Sequence, residues 1–110
     1  MEISFHGYDE SFCTFLADKT VDKDMLVKIV ANGTVGKCNV GDDFCGLCVG
    51  VRDGFSAIQL RGFIVVKTDR KIPLGYQRLV AGASGTVLVK NTGREYLVVQ
   101  STEKEVGFII

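Results

Sequence analysis

Tryptophan is absent, proline and histidine occur once each, and neither sign of charge is in excess, with 13 Lys+Arg against 13 Asp+Glu. Each shortage excludes something. Neutralising phosphates calls for a surplus of cations on one face, so no nucleic-acid partner is expected. No stretch approaches the ~20 apolar residues that a membrane helix needs, so no membrane partner is expected. The only imidazole, His6, has no recognisable nucleophile and orienting carboxylate with it, and reads as solvated or locally bonded. The start Met1-Glu2-Ile3-Ser4-Phe5-His6 has neither the basic opening nor the apolar run of ~7–15 residues of a signal peptide. The chain is therefore expected in a reducing cytoplasm, where structural disulfides are uncommon and free thiols behave as small hydrophobes.

What is present is β-forming. There are 15 Val, 7 Ile and 7 Phe, with 13 Gly as punctuation, and apolar residues make up 46% of the 110 positions. That length suits one domain of ~100–150 residues, here 1–110. Short β-branched runs between turn signals predict an all-β fold, a small β-barrel or β-sandwich built from consecutive hairpins. The expected strands are 12–17, 25–31, 34–38, 44–52, 55–67, 77–81, 86–90, 95–100 and 105–110. Asn32-Gly33 and Asp53-Gly54 each predict a type I′ hairpin turn.

The second hairpin implies a register. A two-residue turn pairs Arg52 with Phe55, Gly50 with Ala57, Cys48 with Gln59 and Gly46 with Arg61. Cys45, Leu47, Val49 and Val51 then share an apolar face with Ile58 and Leu60. The other face carries Gly46, Cys48 and Gly50 beside Ala57, Gln59 and Arg61, and is small in side-chain volume. Glycines inside strands mark a bulge, a bend or a close neighbour. Barrel curvature is the first reading of this strip, and another element or another subunit packed onto it, or a shell contact, is the second. The chain closes on Phe108-Ile109-Ile110, whose exposure would forfeit ~1.5–3 kcal/mol each. These residues are expected in the core or at a contact. At the other end, Phe5, Tyr8, Phe12 and Phe15 mark a first strand, with an N-terminal arm over 1–11 as the alternative.

Reactive clusters are hard to find. Cys45-Gly46-Leu47-Cys48 is formally C-x-x-C, but it lies in an expected strand and not at the helix N-terminus that activates a redox thiol. Strand alternation points its two sulfurs to opposite faces. Zinc would need Cys13, Cys38, Cys45 and Cys48 to converge, which requires a bulge to turn one of them. Asp42-Asp43 and Asp22/Asp24 lack calcium-loop spacing and read as turn residues. Lys67, Asp69, Arg70 and Lys71 read as a solvated loop. Ala81-Gly82-Ala83-Ser84-Gly85 lacks the Lys and the helix of a phosphate loop. No catalytic residue, metal or cofactor is expected.

The order of features nevertheless has a likeness. Val21-Asp22-Lys23-Asp24 leads into Met25-Leu26-Val27-Lys28 and the Asn-Gly hairpin. Gly41-Asp42-Asp43-Phe44-Cys45-Gly46-Leu47-Cys48-Val49-Gly50-Val51 and Ile58-Gln59-Leu60-Arg61-Gly62-Phe63-Ile64 follow. Ile72-Pro73-Leu74-Gly75-Tyr76-Gln77-Arg78-Leu79-Val80 then precedes Ser84-Gly85-Thr86-Val87. Over residues 20–110 this resembles the small head-associated β proteins of tailed bacteriophages, the capsid decoration proteins among them. The resemblance implies a β-barrel or β-clip-like virion component, made in the host cytoplasm and non-enzymatic. It further implies a homo-oligomer, with a trimer favoured, that decorates or cements the shell by binding the major capsid protein or other virion proteins. Contact candidates are Gly46, Cys48, Gly50, Gln59, Arg61, Phe108, Ile109 and Ile110. The alternatives are a small β-barrel ligand- or carbohydrate-binding module, which the lack of Trp disfavours, and a Cys-based zinc protein.

Overall fold

Runs rich in Val, Ile and Phe, bounded by Gly, Asp or Asn, become strands throughout the computed structural model, which describes residues 10–110. The first five are β1 (Ser11–Ala17), β2 (Leu26–Ala31), β3 (Thr34–Lys37), β4 (Gly46–Arg52) and β5 (Phe55–Arg61). The next five are β6 (Phe63–Lys67), β7 (Gly75–Ala81), β8 (Val87–Val89), β9 (Arg94–Ser101) and β10 (Glu105–Ile109). The first set closes into a barrel in the order β1-β3-β2-β4-β5, and the second forms a sheet ordered β6-β10-β9-β7-β8. Among the described residues, one 3₁₀ turn at Ala83–Gly85 is the only helical element. The fold is all-β, as expected. His6 and the proposed arm, apart from its last two residues, lie outside the described residues.

Two local features depart from expectation, and each has a backbone cause. The run 55–67 is two strands, because Gly62 takes φ 107° and passes the chain from the barrel to the second sheet. Glycine reaches that region without the Cβ clash that bars other residues. Gly62 and Ile110 exchange backbone hydrogen bonds, N–H to O=C, at 3.3 and 2.9 Å, so Ile110 is tied to the crossover. At the hairpins, Asp53 (φ 52°) and Gly54 (φ 79°) are both left-handed, as a type I′ turn requires. In the Asn32-Gly33 turn only Gly33 is left-handed, so it is not type I′. A register shift between Ile29 and Ala31 accompanies it.

The interior has two parts. Val21, Val27, Val35, Cys48 and Ile58 cluster in the barrel. A larger core joins Leu26, Cys38 and Phe44 from the barrel half to Ile64, Val66, Leu79, Val98, Val106 and Phe108 of the second sheet. At its centre Phe44 and Tyr96 stack at 5.2 Å with 12° between ring planes, and Phe108 tilts against both at 6.0 and 5.4 Å. Offset-stacked and tilted rings are the arrangements that aromatic quadrupoles favour. Burial raises the Tyr96 hydroxyl above its ordinary pKa.

Candidate interaction surfaces

The candidate strip changes once the β4–β5 register is known. Arg52 opposes Phe55 and Gly50 opposes Ala57, as the turn demands. A bulge between Cys48 and Gly50 then shifts the ladder, so Cys48 opposes Ile58 and Leu47 opposes Gln59. An extra residue in one strand reverses its facing from there on. Cys48 therefore turns into the barrel beside Ile58, and both are fully buried. Gly46 pairs with Val27 of β2 instead of Arg61. A Cβ on Gly46 would collide with the Gln59 carbonyl oxygen, so glycine is there for a close backbone approach.

Gln59 is buried as well. Its side-chain amide donates toward the Arg61 carbonyl at 3.1 Å, the Phe63 carbonyl at 3.2 Å and the Glu10 carboxylate at 3.3 Å. It braces the crossover around Gly62. Phe108 is fully buried in the aromatic centre. Four of the eight candidates (Gly46, Cys48, Gln59 and Phe108) are thus packed against their own chain. Within the strip the bulge turns Cys48 inward and the crossover covers Gln59, whereas Phe108 lies in the core, one of the two places expected for it. Gly50, Arg61, Ile109 and Ile110 keep at least partial exposure.

Two apolar faces remain, and sequence reading found only fragments of them. On the barrel exterior Leu16 lies opposite Phe55, Thr14 opposite Ala57 and Phe12 opposite Gln59. Phe12, Leu16 and Phe55 are each about half exposed. Beside them Gly50 has nothing near its Cβ position, so the face is shallow in the middle. On the second sheet, Tyr76 opposes Leu97 and Leu97 opposes Ile109. Tyr96, Val98 and Phe108 occupy the inner face, so strand alternation directs Tyr76, Leu97 and Ile109 outward.

All four cysteines are free thiols: Cys13 is exposed, Cys38 and Cys48 are buried and Cys45 is half-buried. The expected divergence of Cys45 and Cys48 does not occur. Cys45 precedes β4, and both residues pack against the barrel interior. Burial, aided by the charge of Asp42, pushes the Cys38 thiol up to about 12, and burial raises Cys45 and Cys48 too. Thiols so held are protonated at neutral pH and are poor nucleophiles and ligands. Among the described residues no three His, Cys, Asp or Glu side chains converge as a metal site. Asp42 instead accepts from Lys28 Nζ at 2.6 Å and from the Asn39 N–H at 2.8 Å. Asp69, Arg70 and Lys71 are exposed in the expected loop, whereas Lys67 is the exposed last residue of β6, opposite Glu105.

These features define a class: a two-sheet all-β chain whose outward features are apolar strand faces. The fold is similar to that of the head fiber gp8.5 N base of bacteriophage phi29, with a TM-score of 0.64 at 15% identity over 92% of this chain and 93% of that one. The likeness to phage head-associated β proteins drawn from residues 20–110 thus has a counterpart in fold. No protein-family model matches the chain, and no curated protein is significantly similar to it in sequence.

Proposed function

We propose that this chain is a non-enzymatic structural protein of a bacteriophage virion that decorates or cements the capsid as a homo-oligomer, with a trimer favoured. The observation that carries the reading is the shared fold with a phage head fiber base across nearly the whole of both chains. Exposed apolar strand faces and buried, protonated thiols support it, since adhesion needs no reactive side chain. A protein that binds only the assembled, expanded lattice adds its binding free energy to that state alone. Many copies on a closed shell reinforce one another through multivalency.

Co-sedimentation of the purified chain with precursor and with expanded shells tests this. Binding to expanded shells alone is the expected result. Failure to bind either kind overturns the cementing role and favours a free β-barrel binding module.

A further inference from the structure

An antiparallel sheet normally shows one apolar face to the core and one polar face to water. The second sheet breaks that pattern. Its inner face holds Tyr96, Val98 and Phe108, already covered by Phe44 and Leu26 from the barrel half. Its outer face carries a row across four adjacent strands: Tyr76 opposite Leu97, Leu97 opposite Ile109, and Ile109 opposite Phe63. Val99 and Ile110 extend the row, and the face forms an open trough of about 470 Å³. Phe63 is itself nearly covered, because its ring lies where a Cβ on Gly107 would be. Tyr76, by contrast, is 67% exposed. A contiguous apolar band of this kind marks an association surface.

The flank of the band indicates what covers it. Arg78 and Glu95, two positions along from Tyr76 and Leu97, form the next cross-strand pair on the same face, and both are exposed. Opposite charges side by side at the edge of an apolar band are complementary to the same pair on another copy. The formal net charge of the chain is zero, so copies do not repel one another at long range. We infer that the outer face of the second sheet, centred on Tyr76, Leu97 and Ile109 and flanked by Arg78 and Glu95, is where copies of this chain join one another. This deepens the self-association proposed above and rests on it, while leaving the Phe12–Leu16–Phe55 face of the barrel free for the shell.

Sedimentation velocity of the full chain is expected to show a species larger than the 12.0 kDa monomer. Leu97→Asp is expected to shift it to monomer while the circular dichroism spectrum stays unchanged. Arg78→Glu and Glu95→Arg each set like charges against one another, and each is expected to weaken association on the order of tenfold. Mixed in equal amounts, those two variants are expected to associate again, because the all-acidic flank of one meets the all-basic flank of the other. These substitutions at exposed sites keep the test decisive if Leu97→Asp fails to fold. Phe55→Asp, on the barrel face, is expected to leave the oligomer intact.

A monomeric wild-type chain overturns the inference. So does an oligomer indifferent to Leu97→Asp, or a mixture no more associated than its components. If Leu97→Asp stays assembled and loses only shell binding, the face belongs to the shell and the inference fails. An oligomer that dissolves as expected in a protein that binds no shell leaves this face assigned and removes the cementing role.

Discussion

The two halves of the chain are held together differently. The barrel interior is filled by small β-branched side chains and a thiol (Val21, Val27, Val35, Cys48 and Ile58), and two of the five seams that close its ring are short. β1 meets β3 at only two residue pairs, and β2 meets β4 at two. The second sheet has five-residue ladders between β6 and β10 and between β7 and β9, and a centre of stacked aromatic rings. A barrel of this size depends on backbone geometry to close: a bulge, a left-handed hairpin turn and a glycine against a carbonyl. The open sheet uses the same devices, a bulge between Gly107 and Phe108 and Gly93 against the Leu79 carbonyl oxygen, and adds the burial of three packed aromatic rings. Both halves are therefore expected to be sensitive to added atoms, and the second, with its large rings, more sensitive to removed ones.

Phe108→Ala carries the largest expected effect. The ring is fully buried and touches both Phe44 and Tyr96. Its loss is expected to cost about 3–5 kcal/mol through transfer and cavity terms, read as a lower urea midpoint. Gly46→Ala comes next. It adds a single carbon to the barrel, but that carbon meets the Gln59 carbonyl oxygen and the Ile58 side chain, and backbone does not yield cheaply. About 1–3 kcal/mol is expected. An effect below that of a surface alanine would mean that the barrel adjusts to the added carbon. Ile58→Val, a small truncation inside the barrel, is expected to cost about 0.5–1.5 kcal/mol.

This contrast also explains what could be read from the residues alone. The all-β class, the Asp53-Gly54 turn and most strand segments follow from local chemistry, since β-branched runs and turn residues act within a few positions. The Val49 bulge does not. Alternation counts residues, and nothing in Cys48-Val49-Gly50 announces that one of them is unpaired. The crossover at Gly62 is hidden for a similar reason, because a single left-handed glycine leaves the apolar run 55–67 unbroken. Ile109 and Ile110 were conspicuous as apolar residues at the end of the last strand. Tyr76 and Leu97 were not, because Tyr96-Leu97-Val98-Val99 is apolar on both faces, and only the strand order brings Leu97 between Tyr76 and Ile109.

The smallest expected effect concerns the polar link between the halves. Lys28 of β2 holds Asp42 at 2.6 Å. The same loop is tied to β7, where Gly41 N–H donates to the Ala81 carbonyl at 2.8 Å and Ala81 N–H donates to the Asp42 carbonyl at 2.9 Å. The Lys28 hydrogen bond lowers Asp42 below 3.8, and the Asp42 hydrogen bond raises Lys28 above 10.5. Because the folded Asp42 value is depressed, its contribution is present above pH 3.8 and fades as pH falls through the lower folded value. Because the folded Lys28 value is raised, its contribution is complete below pH 10.5 and fades as pH rises through the higher folded value. Both side chains are about 30% exposed, so solvent screening keeps the effect small. Asp42→Asn is expected to flatten the acid limb of the urea midpoint against pH without abolishing it. Asp18, lowered by its hydrogen bonds from Thr20, still contributes there. An acid limb unchanged by Asp42→Asn would show that the halves are joined by the aromatic core and backbone bonds alone, with the ion pair contributing nothing measurable.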